Sequence, residues 1–217
     1  MSQGMQVKIL SAEESILEAI KAKKVVGLEY EIIEIPENVK VTVEGRVVTV
    51  EGPKGKITKD FSHVRTVYII HDDNRIIVAC VTKRDRDKKP LRTVSSKIKN
   101  MIEGVQRWFI YKHKVVFAHF PIRVKVEGKY IIIENFYGRK DKILVPIVGD
   151  QTEVEVRLQP GSEIPDEVII KGPDKDAVSQ TSANLHEACK LRGKYKKDPR
   201  VFQDGVWRYM VTREGEE

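Results

Sequence analysis

The stretch "KLRGKYKKDPRVFQDGVWRY", Lys190–Tyr209, places Arg192, Lys194, Lys196, Lys197 and Arg200 within nine residues and interleaves them with Tyr195, Phe202 and Trp207. Flexible cations beside rigid rings suit one kind of chemistry above others. The cations neutralise phosphates with release of counterions, and the rings either pack onto the protein or stack on exposed bases. A fully disordered basic tail does not fit, because Phe202 can anchor the segment and Asp204-Gly205 can turn it. A second basic stretch, 83–114, holds eleven Lys/Arg against three acids, a net of +8; residues 186–213 reach +5. The whole chain is +7, so its basicity is concentrated, as a phosphate-binding surface requires.

Catalytic chemistry has no comparable foothold. The chain has no HExxH, phosphate-cradling Lys loop, dinucleotide glycine fingerprint, nucleophile elbow or CxxC pair. His113 and His119 lie on either side of an apolar strand with no acid placed to orient them, which favours a structural or solvent-facing role. "HDDN", His71–Asn74, sits between two apolar runs and is expected to be a turn, not a metal loop. "GPKG", Gly52–Gly55, is similar to the loop of a KH domain, but that loop joins helices and this one joins strands. As a β-turn it presents Lys54 and Lys56 at a tip, either as structure alone or as structure plus phosphate contact. No enzyme, cofactor, metal or small-molecule substrate is expected.

Cys80 and Cys189 are far apart in apolar stretches and are expected to be buried free thiols of a reducing compartment. No run approaches the roughly 18 apolar residues of a membrane span, and the amino terminus lacks a signal-peptide pattern. A soluble cytoplasmic protein without a membrane partner is the expectation.

The scaffold that must position these cations is written twice. "KVTVEGRVVTVEGPKG" from Lys40 and "RVKVEGKYIIIENFYG" from Arg123 share Val-x-Val-Glu-Gly-basic at an offset of 83. Val41, Val43, Glu44 and Gly45 fall on Val124, Val126, Glu127 and Gly128, and Glu51 and Gly55 on Glu134 and Gly138. Alternating apolar residues around Glu-Gly predict a hairpin whose glycine supplies positive φ. The same offset carries Pro90 onto Pro173, and each proline is expected to open a helix. The β-branched runs "TVYII", "RIIVACV", "ILVPIV", "EVEVRL" and "EVIIKG" lie between hairpin and helix. The expected fold class is α+β: two tandem duplicated small domains, each a mainly antiparallel sheet with one long helix packed on it. Copies are expected at 38–120 and 121–205, after an acidic amino-terminal extension (1–37) and before a tail (206–217).

In the first helix Val94, Ile98, Met101, Ile102, Val105 and Phe109 form the expected buried stripe, leaving Arg92, Lys97, Lys99, Asn100 and Gln106 outside. The second has a thinner stripe, Ala177, Thr181, Leu185 and Ala188, and an expected exposed side of Ser179, Gln180, Ser182 and Asn184. In the extension, Ser11 and Glu14 have capping-box spacing, so a short amphipathic helix that meets another protein or the surface is expected.

"QTSANLHEACKLRGKYKKDPRVFQDGVW" resembles the carboxy-terminal signature of the universal large-subunit ribosomal protein L six family, called L nine in eukaryotes. Its Gln-led helix and Lys-Asp-x-Arg-x-Phe-x-Asp-Gly motif are Gln180, Lys197, Asp198, Arg200, Phe202, Asp204 and Gly205 here. "IPENV", "VEGPKG", "DFSHV", "NMIEGV", "YKHKVVFAHFPI" and "NFYG" agree, so the resemblance spans residues 35–209. The extension is longer than the family norm, Trp207 stands where the family usually has Tyr, and the motif style is eukaryotic more than bacterial. The resemblance implies a non-enzymatic constituent of the large ribosomal subunit, on the ribosome in the cytoplasm and in the nucleolus during eukaryotic assembly. It would bind large-subunit rRNA near the sarcin–ricin region and the stalk base, beside neighbouring ribosomal proteins, mainly through its second domain. Together with the charge pattern it gives the candidate rRNA-binding residues: Lys190, Arg192, Lys194, Lys196, Lys197 and Arg200, with Gln180 and Asn184, and Lys54, Lys56, Arg92, Lys97 and Lys99 in the first copy. An extra-ribosomal RNA-binding factor using the same basic surfaces is the alternative.

Overall fold

A computed structural model describes residues 28–72, 74–81, 85–191, 196–198 and 200–216. The capping-box helix expected around Ser11 lies outside the described residues. The chain divides into two compact units: one takes in the described residues up to Val50 with Thr58–Lys99, the other Glu51–Ile57 with Asn100–Glu217.

The strands of the first repeat are β1 (Leu28–Glu34), β2 (Lys40–Glu44), β3 (Val47–Gly52), β4 (Gly55–Asp60), β5 (Val67–Asp72) and β6 (Arg75–Val81), followed by helix α1 (Asp85–Gly104). Those of the second are β7 (Phe109–Val116), β8 (Arg123–Glu127), β9 (Tyr130–Glu134), β10 (Ile143–Pro146), β11 (Glu153–Leu158) and β12 (Pro165–Gly172), then helix α2 (Lys175–Ala188) and strand β13 (Gly205–Arg213). The sheet orders are β1-β6-β5 and β2-β3-β4 in the first, β11-β12-β7-β13 and β10-β9-β8 in the second. Matching β1 to β7 and so on in order, each three-strand order of the first recurs in the second, with β13 added to the outer side of β7. The class is α+β with antiparallel sheets, and the duplication is visible in topology.

The repeated hairpin forms as its residues dictate. Glu127 pairs with Tyr130 across a two-residue turn, and Gly128 has φ +58, Gly45 φ +61. A positive φ at the first turn position alone is what a type II′ connection needs. The offset of 83 does not persist, because Pro90 lies inside α1 whereas Pro173 precedes Asp174, the amino-terminal cap of α2. The two prolines are therefore not equivalent and do not open their helices. The second landmark of the repeat is the strand order, not proline spacing. Leu28–Glu34, within the acidic extension read from sequence, pairs along its whole length with β6. "HDDN" falls where β5 and β6 meet, Asp72 opposite Arg75.

In the first unit Val94 and Ile98 are buried on α1, and Lys99 reaches Glu31 of β1 at 3.2 Å. The hydrogen bond from Ser95 is the main reason the Glu31 carboxyl lies below its usual range. In the second, Phe109, Ile122, Ile131, Ile133, Val168, Ile170, Val178 and Leu185 share one core. Phe109 reaches it from β7, not from α1, which ends at Gly104. Cys80 and Cys189 are both buried and neither forms a disulfide. Burial pushes the Cys189 thiol up to about 11.

His113 joins sheet to helix in the second core: Nε2 is 2.8 Å from Ser182 Oγ and Nδ1 3.3 Å from the Val168 carbonyl. Ser182 is thus buried, not on the exposed side expected for it, because the imidazole needs a polar partner inside. Desolvation, with smaller contributions from Arg208 and His186, holds His113 down at about 4. The unfolded chain takes up a proton near 6.5 and the folded one does not, so stability falls as pH drops from 6.5 to 4. The loss is about 3 kcal/mol over that window. Urea unfolding of the second unit at pH 7 and pH 4.5 checks it; His113→Gln should start less stable but lose that part of the slope.

Candidate nucleic-acid interface

Helix α2 starts at a cap: the Asp174 carboxylate accepts from the Asp176 N–H at 3.0 Å, satisfying a donor that the first turn leaves orphaned. Ala177, Val178, Thr181, Ser182 and Leu185 turn inward. Thr181 Oγ1 donates to the Ala177 carbonyl and accepts from the Val148 N–H, both at 2.9 Å. The opposite side carries Gln180 and Asn184, linked by Gln180 Nε2 donating to Asn184 Oδ1 at 2.9 Å. Lys190, just past the helix, is paired with Glu187. Asn184, Glu187 and Lys190 form one wall of a cleft of about 520 Å³ whose other wall is Arg139 and β10, with Leu144 exposed on it.

Arg192 and Lys194 lie outside the described residues. Lys196 and Lys197 are exposed and have no ion-pair partner among the described residues. Asp198 organises the turn that leads out of the basic run: its carbonyl accepts from the N–H groups of Val201 and Phe202, and its carboxylate holds Arg200 at 2.8 and 3.1 Å. The Arg200 hydrogen bond keeps the Asp198 carboxyl below its usual range. Arg200 remains 89% exposed, and a surface pair of this kind is weak enough to exchange for phosphate.

Past Arg200 the aromatic residues pack onto protein. Phe202 meets Tyr137 edge-on at 5.0 Å, and Trp207 meets His186 at 4.8 Å while its Nε1 donates to the Gln203 carbonyl at 2.6 Å. Asp204 is buried and accepts from the Ala118 N–H at 3.2 Å. The segment then enters β13 beside β7, so residues read as a terminal tail are sheet. The β-branched and aromatic residues of "VWRYMV" are the strand signal there, masked in the sequence by the basic-aromatic pattern that overlaps it.

The first-copy candidates are more engaged. Lys54 Nζ is held by Glu214 at 2.8 Å, its N–H donates to the Val105 carbonyl at 2.9 Å, and its carbonyl accepts from Trp108 Nε1 at 3.0 Å. The GPKG turn is therefore folded against its own unit. Lys56 is exposed, 3.8 Å from Glu51. Arg92 is exposed on α1, Lys97 half-buried, and Lys99 paired with Glu31. Sequence reasoning missed Arg139 and the strained turn before it. The strain has no sequence signal, since of the three residues holding positive φ there only Gly138 is a glycine, and Tyr137 gives no hint of it.

Two repeated α+β units thus carry exposed cations at Lys196, Lys197 and Arg200, just ahead of residues that pack onto the second unit. The family profile described as Ribosomal protein L6 matches residues 35–107. The large ribosomal subunit protein uL6 of Staphylothermus marinus is 40% identical over 182 residues, 83% of this chain and 93% of that protein. The uL6 proteins of Aeropyrum pernix and Methanosphaera stadtmanae are each 41% identical, over 82% and 86% of this chain and 92% and 95% of theirs. The chain belongs to the uL6 family of large-ribosomal-subunit proteins, which is not enzymatic.

Proposed function

We propose that this chain binds and braces large-subunit rRNA near the sarcin–ricin region and the stalk base, in cytoplasmic translation, next to other large-subunit proteins. The principal contact is the segment from Lys190 to Arg200 with the outer face of α2, and the second unit is the main binder. The observation that carries this reading is that Lys196, Lys197 and Arg200 stand exposed on a segment whose following residues, Phe202, Asp204 and Trp207, are each tied into the fold. Cations held in place can bridge phosphates of converging RNA helices, and such contacts select by shape more than by base sequence.

Sedimentation of the tagged full-length chain from its source organism tests the reading. The chain should co-migrate stoichiometrically with large subunits and remain bound in moderate salt. Substoichiometric migration with smaller RNA–protein particles would support the extra-ribosomal factor instead.

A further inference from the structure

The short turn Asn135–Gly138 contains two residues in a conformation that L-amino acids avoid: Asn135 at φ +59 and Tyr137 at φ +57. Asparagine tolerates that region, but a bulky tyrosine there is an outlier. The surroundings enforce it. Phe136 between them is 2% exposed in the second core, Asn135 Nδ2 donates to the Pro121 carbonyl at 3.0 Å, and the Gly138 N–H donates to the Asn135 carbonyl at 3.2 Å. Glycine at 137 would satisfy the backbone without strain. The fold of the turn therefore does not explain tyrosine; what the ring touches does.

That ring sits edge-on to Phe202, centroids 5.0 Å apart and planes at 86°. Phe202 comes directly after the Asp198 turn, whose carbonyl holds its N–H at 2.8 Å. At the other end, Leu191 packs against the second core. Lys196, Lys197 and Arg200 stand exposed just ahead of Phe202. We propose that the turn Asn135–Gly138 is a strained dock and that Tyr137 is a positioning residue for RNA binding, acting through Phe202 to hold Lys196, Lys197 and Arg200 in their binding arrangement. This deepens the rRNA reading above and rests on it. Strain retained at a site where relief is available by one substitution is a signature of function.

Tyr137→Gly is the informative variant because it relieves the backbone while removing the ring. Its thermal midpoint should equal or exceed the parent's. Trypsin should cut after Arg200 several-fold faster, since the segment loses one pin. Affinity for deproteinised large-subunit rRNA, by filter binding, should fall about three- to tenfold, the population cost of losing an aromatic pair. The dependence of log affinity on log salt should keep its slope, since no phosphate contact is lost. Tyr137→Phe keeps the ring and should match the parent in all respects. Unchanged cleavage and affinity in Tyr137→Gly would overturn the dock. Lower affinity with unchanged cleavage would also overturn it, since the ring would then be touching RNA itself. Failure of the parent chain to bind rRNA would overturn the functional reading and the positioning role with it, while faster cleavage would still show that the ring pins the segment.

Discussion

Replacing Lys194, Lys196, Lys197 and Arg200 together by alanine is expected to flatten the salt dependence of rRNA binding. Four phosphate contacts account for a slope of about 3.6 in log affinity against log salt if each behaves as on a duplex. Raising salt from 50 to 200 mM should therefore cost the parent about a hundredfold more affinity than the variant. Folding should be almost untouched. Lys196 and Lys197 are exposed without ion-pair partners among the described residues, and the Arg200–Asp198 pair lies at the surface. Incorporation into large subunits should drop while the thermal midpoint stays within a few degrees. The variant Arg92→Ala, Lys97→Ala, Lys99→Ala should move the slope less, because Lys99 is already matched to Glu31. Normal assembly of the fourfold variant would remove the carboxy-terminal segment from its role as principal contact.

The sequence made the hairpins and the apolar strands legible, because alternation and a turn glycine are local signals. β5, β6, β11 and β12 coincide with the β-branched runs, and Gly45 and Gly128 hold the positive φ expected of them. Signals that depend on partners were misread or hidden. Ser182 looks like a surface serine until His113, sixty-nine residues away, is placed against it. Pro90 looks like a helix start, yet α1 extends upstream of it. β1 lies in an acid-rich stretch whose strand character becomes plain only beside β6. At the candidate interface the cations were readable as charge, but their engagement was not: Lys54 is tied to Glu214 across 160 positions of sequence. Tyr137 could not be read as strained from its neighbours, since the strain is imposed by tertiary contacts on Phe136 and Asn135.

Gly104→Ala reverses an ordinary rule. In a helix, alanine for glycine usually stabilises by about 1 kcal/mol, by restricting the unfolded chain and favouring helical backbone. Gly104 ends α1, and a Cβ built on it would lie 1.9 Å from the Pro173 carbonyl oxygen and 3.0 Å from the Phe109 ring. Neither neighbour can yield cheaply. Pro173 is backbone on the approach to the Asp174 cap, and Phe109 is 2% exposed in the core. The carbonyl would have to retreat by more than an ångström, and overpacking of this kind costs about 1–3 kcal/mol or more. The clash should outweigh the propensity gain, lowering stability by about 2 kcal/mol and the thermal midpoint by roughly 4–8 °C for a chain of this size. The displacement also pulls on the cap, so the Asp176 amide, now bonded to the Asp174 carboxylate at 3.0 Å, should exchange with solvent faster than in the parent. Ser96→Ala, on an exposed position of the same helix, should leave both measurements near the parent values and so separates the contact from any general effect of alanine in α1. A midpoint at or above the parent's for Gly104→Ala would show that the close approach of helix and Pro173 does not hold in solution.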